Sequence, residues 1–411
     1  MCAVASKNKF PERILADTWW YGLTDRISLK DFRRLAERRQ KEGFNAIQLV
    51  MGIPPEVEIS SSQAYGGGKP AFSVDGSTVN DEYIKSAVEK LKILHKHKLT
   101  PIIYGAWGHQ IDKVGVDNMT NWWRLVVSKT EKYKPIYCLT GEIDFWQNDP
   151  TIIHKLLNRV YGSRLLIKRR INKWLIVYDK LKTLTDRPII CHVTPYITSD
   201  DVSKSFAATT VQTGHSYGSK QLIWSLPLKF NKRKKPFINL EPWYEGICDG
   251  FWEEDQLFSF WSSMLAGAYG YCFGQHGVWN VGDGEFLAHW GGRTFKEAMQ
   301  SDIAAKIGKS NKLFWCAKNM LQGEVKYIID ERPVFSISVL DRSGHRIAFS
   351  ESIETAPCDT REMMYNPSKC RFESKNNFDS GQAVIFEGFS MKERKKLKDI
   401  VHTFNFTERS V

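Results

Sequence analysis

PFINLEPWYEG, residues 236–246, decides how the chain folds. It opens with a proline, which costs no ladder donor at the first residue of a strand. An apolar run then ends in a carboxylate, Glu241, and the Pro-Trp-Tyr-Glu-Gly that follows has no strand periodicity. The same pattern recurs outward from this segment. PIIYGA (101–106), PIYCLTG (135–141) and PIICHV (188–193) also start on proline, and ILAD (14–17), FNAIQLV (44–50), TTVQTG (209–214) and GYCFG (270–274) bring the strands to eight. Helical patterns fall between most of them, near 28–42, 80–96, 117–131 and 150–182. In the second, Ile84, Ala87, Val88, Leu91 and Leu94 carry the spacing of an amphipathic helix. Eight βα units with almost continuously apolar strands predict an α/β fold, a (β/α)8 TIM barrel over residues 1–314. An open doubly wound sheet would carry a glycine-rich phosphate turn after its first strand, whereas here that strand runs into ADTWWYG.

The pattern changes near residue 315. VKYIIDE (325–331), VFSISVLD (334–341), HRIAFSE (345–351), RFESK (371–375) and QAVIFEG (382–388) read as strands separated by turn residues. Residues 315–411 are therefore expected to form a small C-terminal antiparallel β domain, a sheet or sandwich, with the helical KERKKLKDIVHTF covering it.

Composition excludes several classes. The 42% hydrophobic and 25% charged residues rule out disordered and fibrous chains. No apolar run approaches the roughly 20 residues that cross a bilayer, so no membrane partner is expected. The opening MCAVASKNKFPERI has no apolar secretory core, and the expectation is a cytoplasmic protein, an exported form with its leader removed being the alternative. The eight cysteines form no CxxC pair, and Cys138, Cys191 and Cys272 sit in apolar runs as reduced thiols. The formal charge of +12 comes from short, scattered clusters (KRR at 168–170, KRKK at 232–235, KERKKLK at 392–398). Such clusters read as solvated faces, so nucleic acid is not the expected partner, while an acidic glycan suits the charge. Fourteen Trp exceed what a core needs and point to a surface on which sugar rings or bases stack.

In a barrel of this type function gathers where strands end and βα loops begin. Taken in order, those positions hold Asp17, Trp19 and Trp20; Gln48; Trp107 and His109; Glu142, Asp144 and Trp146; His192 and Tyr196; Gln212 and His215; Glu241, Trp243, Tyr244 and Glu245; Gln275, His276 and Trp279. Any one alone has an ordinary explanation: a core Trp, a structural His, a Glu capping the next helix. Together, carboxylates, imidazoles and indoles at one end describe a pocket with paired carboxylates and aromatic walls, the makings of a glycosidase site. One carboxyl must be protonated to donate to a leaving oxygen, and the other must stay ionised. Strands four and seven lie nearly opposite, so Glu142 and Glu241 are expected to face each other across one sugar. No cofactor or metal is expected. His95 and His97 diverge on a helix, and hydrogen bonding accounts for His192, His215 and His276 without zinc. The Gly- and Ser-rich stretch PPEVEISSSQAYGGGKP within 53–80 reads as a mobile lid over the pocket.

ILADTWW, GFNAIQLV, GAWG, LTGE, QTGH, NLEPWYEG and GAYGYCFGQHGVWN resemble, in that order, segments of the apiosidase-like (β/α)8 glycoside hydrolases, over roughly residues 13–310. The resemblance implies carbohydrate as substrate, Glu142 as acid/base and Glu241 as nucleophile, the roles of a retaining enzyme; the lid-like stretch at 53–80 would close the pocket and favour a terminal sugar, hence exo action. It also implies pocket positions for Asp17, Gln48, Trp107, His215, Tyr244, Glu245, His276 and Trp279. The chain departs from the family in carrying Thr140-Gly141-Glu142 where an Asp is common, which makes Asp144 a rival acid. A barrel that binds carbohydrate without turnover, or that acts on an anionic surface polysaccharide, is the alternative.

Overall fold

The computed structural model describes residues 10–11, 13–145, 163–195, 197–231, 235–332, 334–353, 363–374, 377–378 and 381–403. Eight strands form one parallel sheet: β1 (Ile14–Thr18), β2 (Ala46–Ile53), β3 (Thr100–Ala106), β4 (Ile136–Cys138), β5 (Ile189–Ile190), β6 (Thr209–Gln212), β7 (Phe237–Glu241) and β8 (Gly270–Phe273). Their order, β5-β4-β3-β2-β1-β8-β7-β6, is that of a barrel opened at one seam. The seam has a local cause. At β6 the Thr210 N–H donates to Ser199 Oγ at 2.9 Å instead of to a β5 carbonyl, while the Thr210 hydroxyl donates to the Cys191 carbonyl. Ala207 N still reaches the Ile189 carbonyl at 2.8 Å, so the barrel is nearly closed. The sequence-predicted strand 188–193 is correspondingly short, two residues, because side chains take over the pairing beyond it.

Helices follow the strands as the apolar spacing requires. Leu29–Lys41 is capped by Ser28 and buries Phe32, Leu35 and Ala36; Asp81–Lys96 is capped by Asn80 and buries Ile84, Ala87, Leu91 and Leu94. Val116–Thr130 and Ser163–Leu184 continue the outer ring. Among the described residues no helix is long and apolar enough to cross a membrane.

Helix Ile303–Lys318 leads into a second sheet, wholly antiparallel: β9 (Lys326–Asp330), β10 (Ser336–Leu340), β11 (Arg346–Ser350), β12 (Met363–Asn366), β13 (Arg371–Glu373) and β14 (Ala383–Glu387), in the order β13-β12-β14-β11-β10-β9. The sequence shows only five of these strands. MMYN at β12 has neither alternation nor a β-branched residue, and it is recognisable only by its pairing with β13 and β14. The sheet packs on helix Glu253–Leu265 of the barrel: Phe258 meets Phe335 and Phe349 edge-on at 5.1 and 6.1 Å, and Trp261 meets Tyr365 at 6.4 Å. One continuous apolar core therefore runs from barrel to sheet.

A chain of buried charge ties the tops of β1, β7 and β8 to helix Leu29–Lys41. Arg39 lies 2.6 Å from Asp17 Oδ2 and 2.7 Å from Glu42 Oε2, and donates to Gln275 Oε1 at 3.0 Å. Gln275 donates to Glu245 Oε2 at 2.6 Å, and Arg293 holds the other Glu245 oxygen at 2.7 Å. Arg38 on Glu42 completes three guanidiniums against three carboxylates. Taking either sign away strands a charge of the other sign out of water, at a cost of about 3–5 kcal/mol. Arg39→Met should therefore lower unfolding free energy by about that amount in urea titration, the cost of leaving Asp17 without its counter-charge and Glu42 with Arg38 alone. A variant as stable as the native chain would contradict this.

Candidate active site

Glu241 ends β7, 7% exposed. The β6–β7 register shifts immediately before it: Asn239 pairs Val211, but Glu241 pairs Gln212, so Leu240 is the extra residue of a bulge. Bulges beside active sites re-aim a side chain, and this one is held from across the barrel. Gln48 donates to the Leu240 carbonyl at 3.0 Å and to Thr18 Oγ1 at 2.9 Å, while Tyr104 donates to Gln48 Oε1 at 2.6 Å. The amide nitrogen and oxygen of Gln48 are thus both engaged by protein, and the side chain positions the Glu241 backbone.

Two imidazoles face the Glu241 carboxylate. His215 Nε2 lies 2.9 Å from Oε1, and His192 Nε2 lies 3.3 Å from Oε2. The second contact is not a well-aligned hydrogen bond, which leaves Oε2 the less committed oxygen. His192 is wholly buried at the end of β5, and its Nδ1 accepts the backbone N–H of Glu142 at 3.1 Å. One imidazole thus lies between the two glutamates that the sequence singled out.

On the other side of the site, Trp107 Nε1 donates to Glu142 Oε2 at 2.8 Å. Glu142 has φ of 41°, a left-handed backbone unusual for a residue with a side chain and common where chemistry demands a particular aim. Gly141 makes this arrangement reachable. A Cβ there would stand 2.3 Å from the Trp107 ring, so only glycine lets the indole lie against the backbone behind Glu142. Gly274 plays the same part beneath Tyr244, where a Cβ would stand 2.1 Å from the ring.

The two carboxyls are driven apart in acidity. Withdrawal from water, reinforced by the negative charge of Glu241, pushes Glu142 up to about 7, against the opposing pull of His192 and Trp107. Burial alone would also raise Glu241, but the imidazoles of His192 and His215 against its carboxylate outweigh it and hold Glu241 down at about 2.

The other sequence-predicted residues divide. Trp107, His192, His215 and Tyr244 gather around the glutamates: the Tyr244 ring lies 4.7 Å from His215, and Trp107 5.9 Å from His192. Asp17, Trp19 and Glu245 belong to the buried charge network, the Trp19 indole donating to Asp17 at 2.6 Å. Asp144 is turned to the β5 loop, where Thr194 donates to both its oxygens through backbone and hydroxyl. Trp243 donates to the Ser216 carbonyl at 3.1 Å and packs on Phe251 and Phe258. His276 hydrogen-bonds the Gly291 carbonyl through Nε2, and its ring lies 5.6 Å from Trp279. The Trp279 N–H and the Tyr244 hydroxyl are buried without a well-aligned hydrogen bond. Trp146 and Tyr196 lie outside the described residues.

Two contributors are not evident from strand ends. Tyr104 sits inside β3, and its role shows only through Gln48 and through ring contacts with Trp20 and His192 at 4.9 and 6.0 Å. Trp290 belongs to the long loop after β8, yet its ring reaches 6.2 Å from His215. Glu56 holds it there, accepting from Trp290 Nε1 at 2.6 Å and lying 2.7 Å from His289 Nε2. A tryptophan eleven residues past Trp279 gives no positional signal in sequence.

Glu56 also changes the picture of the stretch read as a mobile lid. Tyr21 donates to the Pro55 carbonyl, Arg26 donates to the Gln63 and Val281 carbonyls at 2.8 and 3.0 Å, and the buried Tyr65 donates to the Gly52 carbonyl at 2.8 Å. The stretch is stitched to the loops after β1 and β8 as a wall. Its glycines serve tight turns: Gly66, with φ of 64°, would drive a Cβ within 2.5 Å of the Arg26 backbone.

Comparison with solved structures finds the same fold in proteins described as glycoside hydrolases. A protein described as a glycoside hydrolase superposes with a TM-score of 0.68 at 14% identity, covering 92% of each chain. A glycoside hydrolase family 5 protein from Bacteroides vulgatus superposes equally well, 0.68 at 12% identity, over 92% of this chain and 89% of its own. A GH5_18 protein from Bifidobacterium longum, solved with Manβ1-4GlcNAc, gives 0.53 at 11% identity, over 76% and 80%. At these identities the likeness is one of fold. Comparison with curated proteins gave no match. The family model described as "Apiosidase-like, catalytic domain" matches residues 5–319, and the chain therefore belongs to the apiosidase-like family of TIM-barrel glycoside hydrolases.

Proposed function

We propose that the protein is a retaining glycoside hydrolase in which Glu241 is the nucleophile and Glu142 the acid/base. The observation that carries this reading is the divergence of the two carboxyls: His192 and His215 keep Glu241 ionised, while enclosure and the Glu241 charge keep Glu142 protonated near neutrality. In the first step Glu241 Oε2 bonds to the anomeric carbon as the glycosidic C–O bond breaks, and the Glu142 proton passes to the leaving oxygen. In the second, Glu142, now a carboxylate, takes a proton from water. The water oxygen bonds to the anomeric carbon, and the ester to Glu241 breaks. The bulge and Gln48 aim the nucleophile; Trp107 orients the acid.

The substrate in this reading is a carbohydrate, taken at a chain end. The wall of residues 54–80, joined through Glu56 to Trp290, closes one side of the mouth and favours a terminal sugar over an internal one. Tyr244 and Trp279 offer donors to its hydroxyls. The named cations on the loops at this end face carboxylates: Arg26 with Asp283, Lys113 with Glu58, Arg293 with Glu245. That balance favours a neutral sugar over an acidic one. Asp144, clamped by Thr194, serves in this reading to fix the β4 and β5 loops together.

Three outcomes test the proposal on whichever aryl glycoside of a panel the native protein cleaves. Glu241→Ala should abolish turnover, and Glu142→Ala should lower kcat/KM by roughly 10²–10⁴-fold, with a smaller loss on substrates whose leaving group needs no proton. Near-native turnover by both variants would overturn the assignment. The first sugar released, followed by NMR before mutarotation, should keep the anomeric configuration of the substrate; inversion would remove Glu241 from the nucleophile's role. The pH profile of kcat/KM should fall on the alkaline side near pH 7, where Glu142 loses the proton it must donate. On the acid side it should hold until well below pH 4, since Glu241 must be ionised and its acidity is high.

A further inference from the structure

We infer that His192 is a positioning residue that couples the two glutamates, and not a sugar-binding one; the inference rests on the roles proposed above for Glu142 and Glu241. The contacts assign its proton. Nδ1 accepts the Glu142 backbone N–H at 3.1 Å and so carries no hydrogen, which puts the ring proton on Nε2, 3.3 Å from Glu241 Oε2. Both ring nitrogens are therefore turned to protein, and the side chain is fully buried.

The ring has little freedom to do anything else. Trp20, Tyr104 and Trp107 surround it with centroids 6.3, 6.0 and 5.9 Å away. Its backbone is pinned as well: His192 N donates to the Thr140 carbonyl at 3.3 Å, and Ile143 N donates to the His192 carbonyl at 3.0 Å. The segment that carries the acid is thus hydrogen-bonded to His192 on both sides of Glu142. The left-handed backbone of Glu142 (φ 41°) is where that tether ends. Removing the Nε2 donor would leave Glu241 with His215 alone among the imidazoles, and removing the Nδ1 acceptor would free the Glu142 amide.

The charged and titratable groups facing Glu241 are His192, His215 and Glu142, which follow β5, β6 and β4, and Tyr244, which follows β7 and feels the Glu241 charge. Two substitutions separate the halves of the ring. The Asn amide sits where Nδ1 is and can accept from Glu142 N–H without reaching Glu241; the Gln amide sits where Nε2 is and can donate to Glu241 without accepting from Glu142. In the intact chain with ¹³C-carboxyl-labelled glutamate, resonances assigned through Glu142→Gln and Glu241→Gln, the titration of both carboxyls can be followed without any substrate. His192→Asn should move the Glu241 midpoint upward by at least about one pH unit and lower kcat by about 100-fold with little change in KM. His192→Gln should leave the Glu241 midpoint near its native value while lowering kcat through the misplaced acid. Native titration of Glu241 in His192→Asn, or a rise in KM at unchanged kcat in both variants, would overturn the inference; the second result would return His192 to sugar binding. Failure of the parent reading looks different: Glu142→Ala and Glu241→Ala would retain turnover whatever the titrations show.

Discussion

A carboxylate withdrawn from water stays ionised only if the protein replaces the solvent it has lost, and Glu241 is held on those terms. His215 supplies a hydrogen bond to one oxygen, and the His192 ring lies 3.3 Å from the other. Much of the upper barrel follows from that requirement. β5 and β6 must end level with β7, the bulge at Leu240 must turn the side chain inward, and Gln48 must hold the bulge from the opposite wall. The same negative charge then adds to burial in raising the Glu142 carboxyl. Burial and one buried charge thus set the two glutamates apart, and desolvation, ordinarily a penalty, becomes a means by which two identical side chains acquire different acidities.

The second constraint lies outside the pocket. The network of Arg38, Arg39, Arg293, Asp17, Glu42 and Glu245 supplies no group to the glutamate pair, yet it fixes the ends of β1, β7 and β8 relative to one another. Tyr244 stands beside Glu245 in sequence and packs onto Gly274, which precedes Gln275 of the network. Ionic groups of this kind add little net stability over a well-packed apolar substitute, but they define one arrangement and penalise others. The β-sheet domain contributes differently, by covering the apolar face of helix Glu253–Leu265 behind β7 and β8.

Much of this was legible in the chain. Proline at strand starts, apolar runs of five to seven residues and amphipathic helices between them are local signals, and the eight barrel strands fall where those signals place them. Elements defined by partners were harder to see. β12 owes its existence to β13 and β14, β5 is cut short by the Ser199 and Thr210 side chains, and the wall at 54–80 gains its order from Arg26 and Tyr21, which lie far back in the chain.

The sequence by itself determined which kinds of side chain stand at the tops of the strands, because strand periodicity and turn chemistry act over a few residues. Only the tertiary structure decided which of them meet. Asp17 and Glu241 occupy the same kind of position, an acid at a strand end. Asp17 is taken up by Arg39, 22 residues away, and Glu241 by imidazoles 26 and 49 residues behind it. The physical reason is that burial and partner, not residue type, fix the charge and aim of a carboxyl, and both are supplied by chain segments that come together only when the barrel forms.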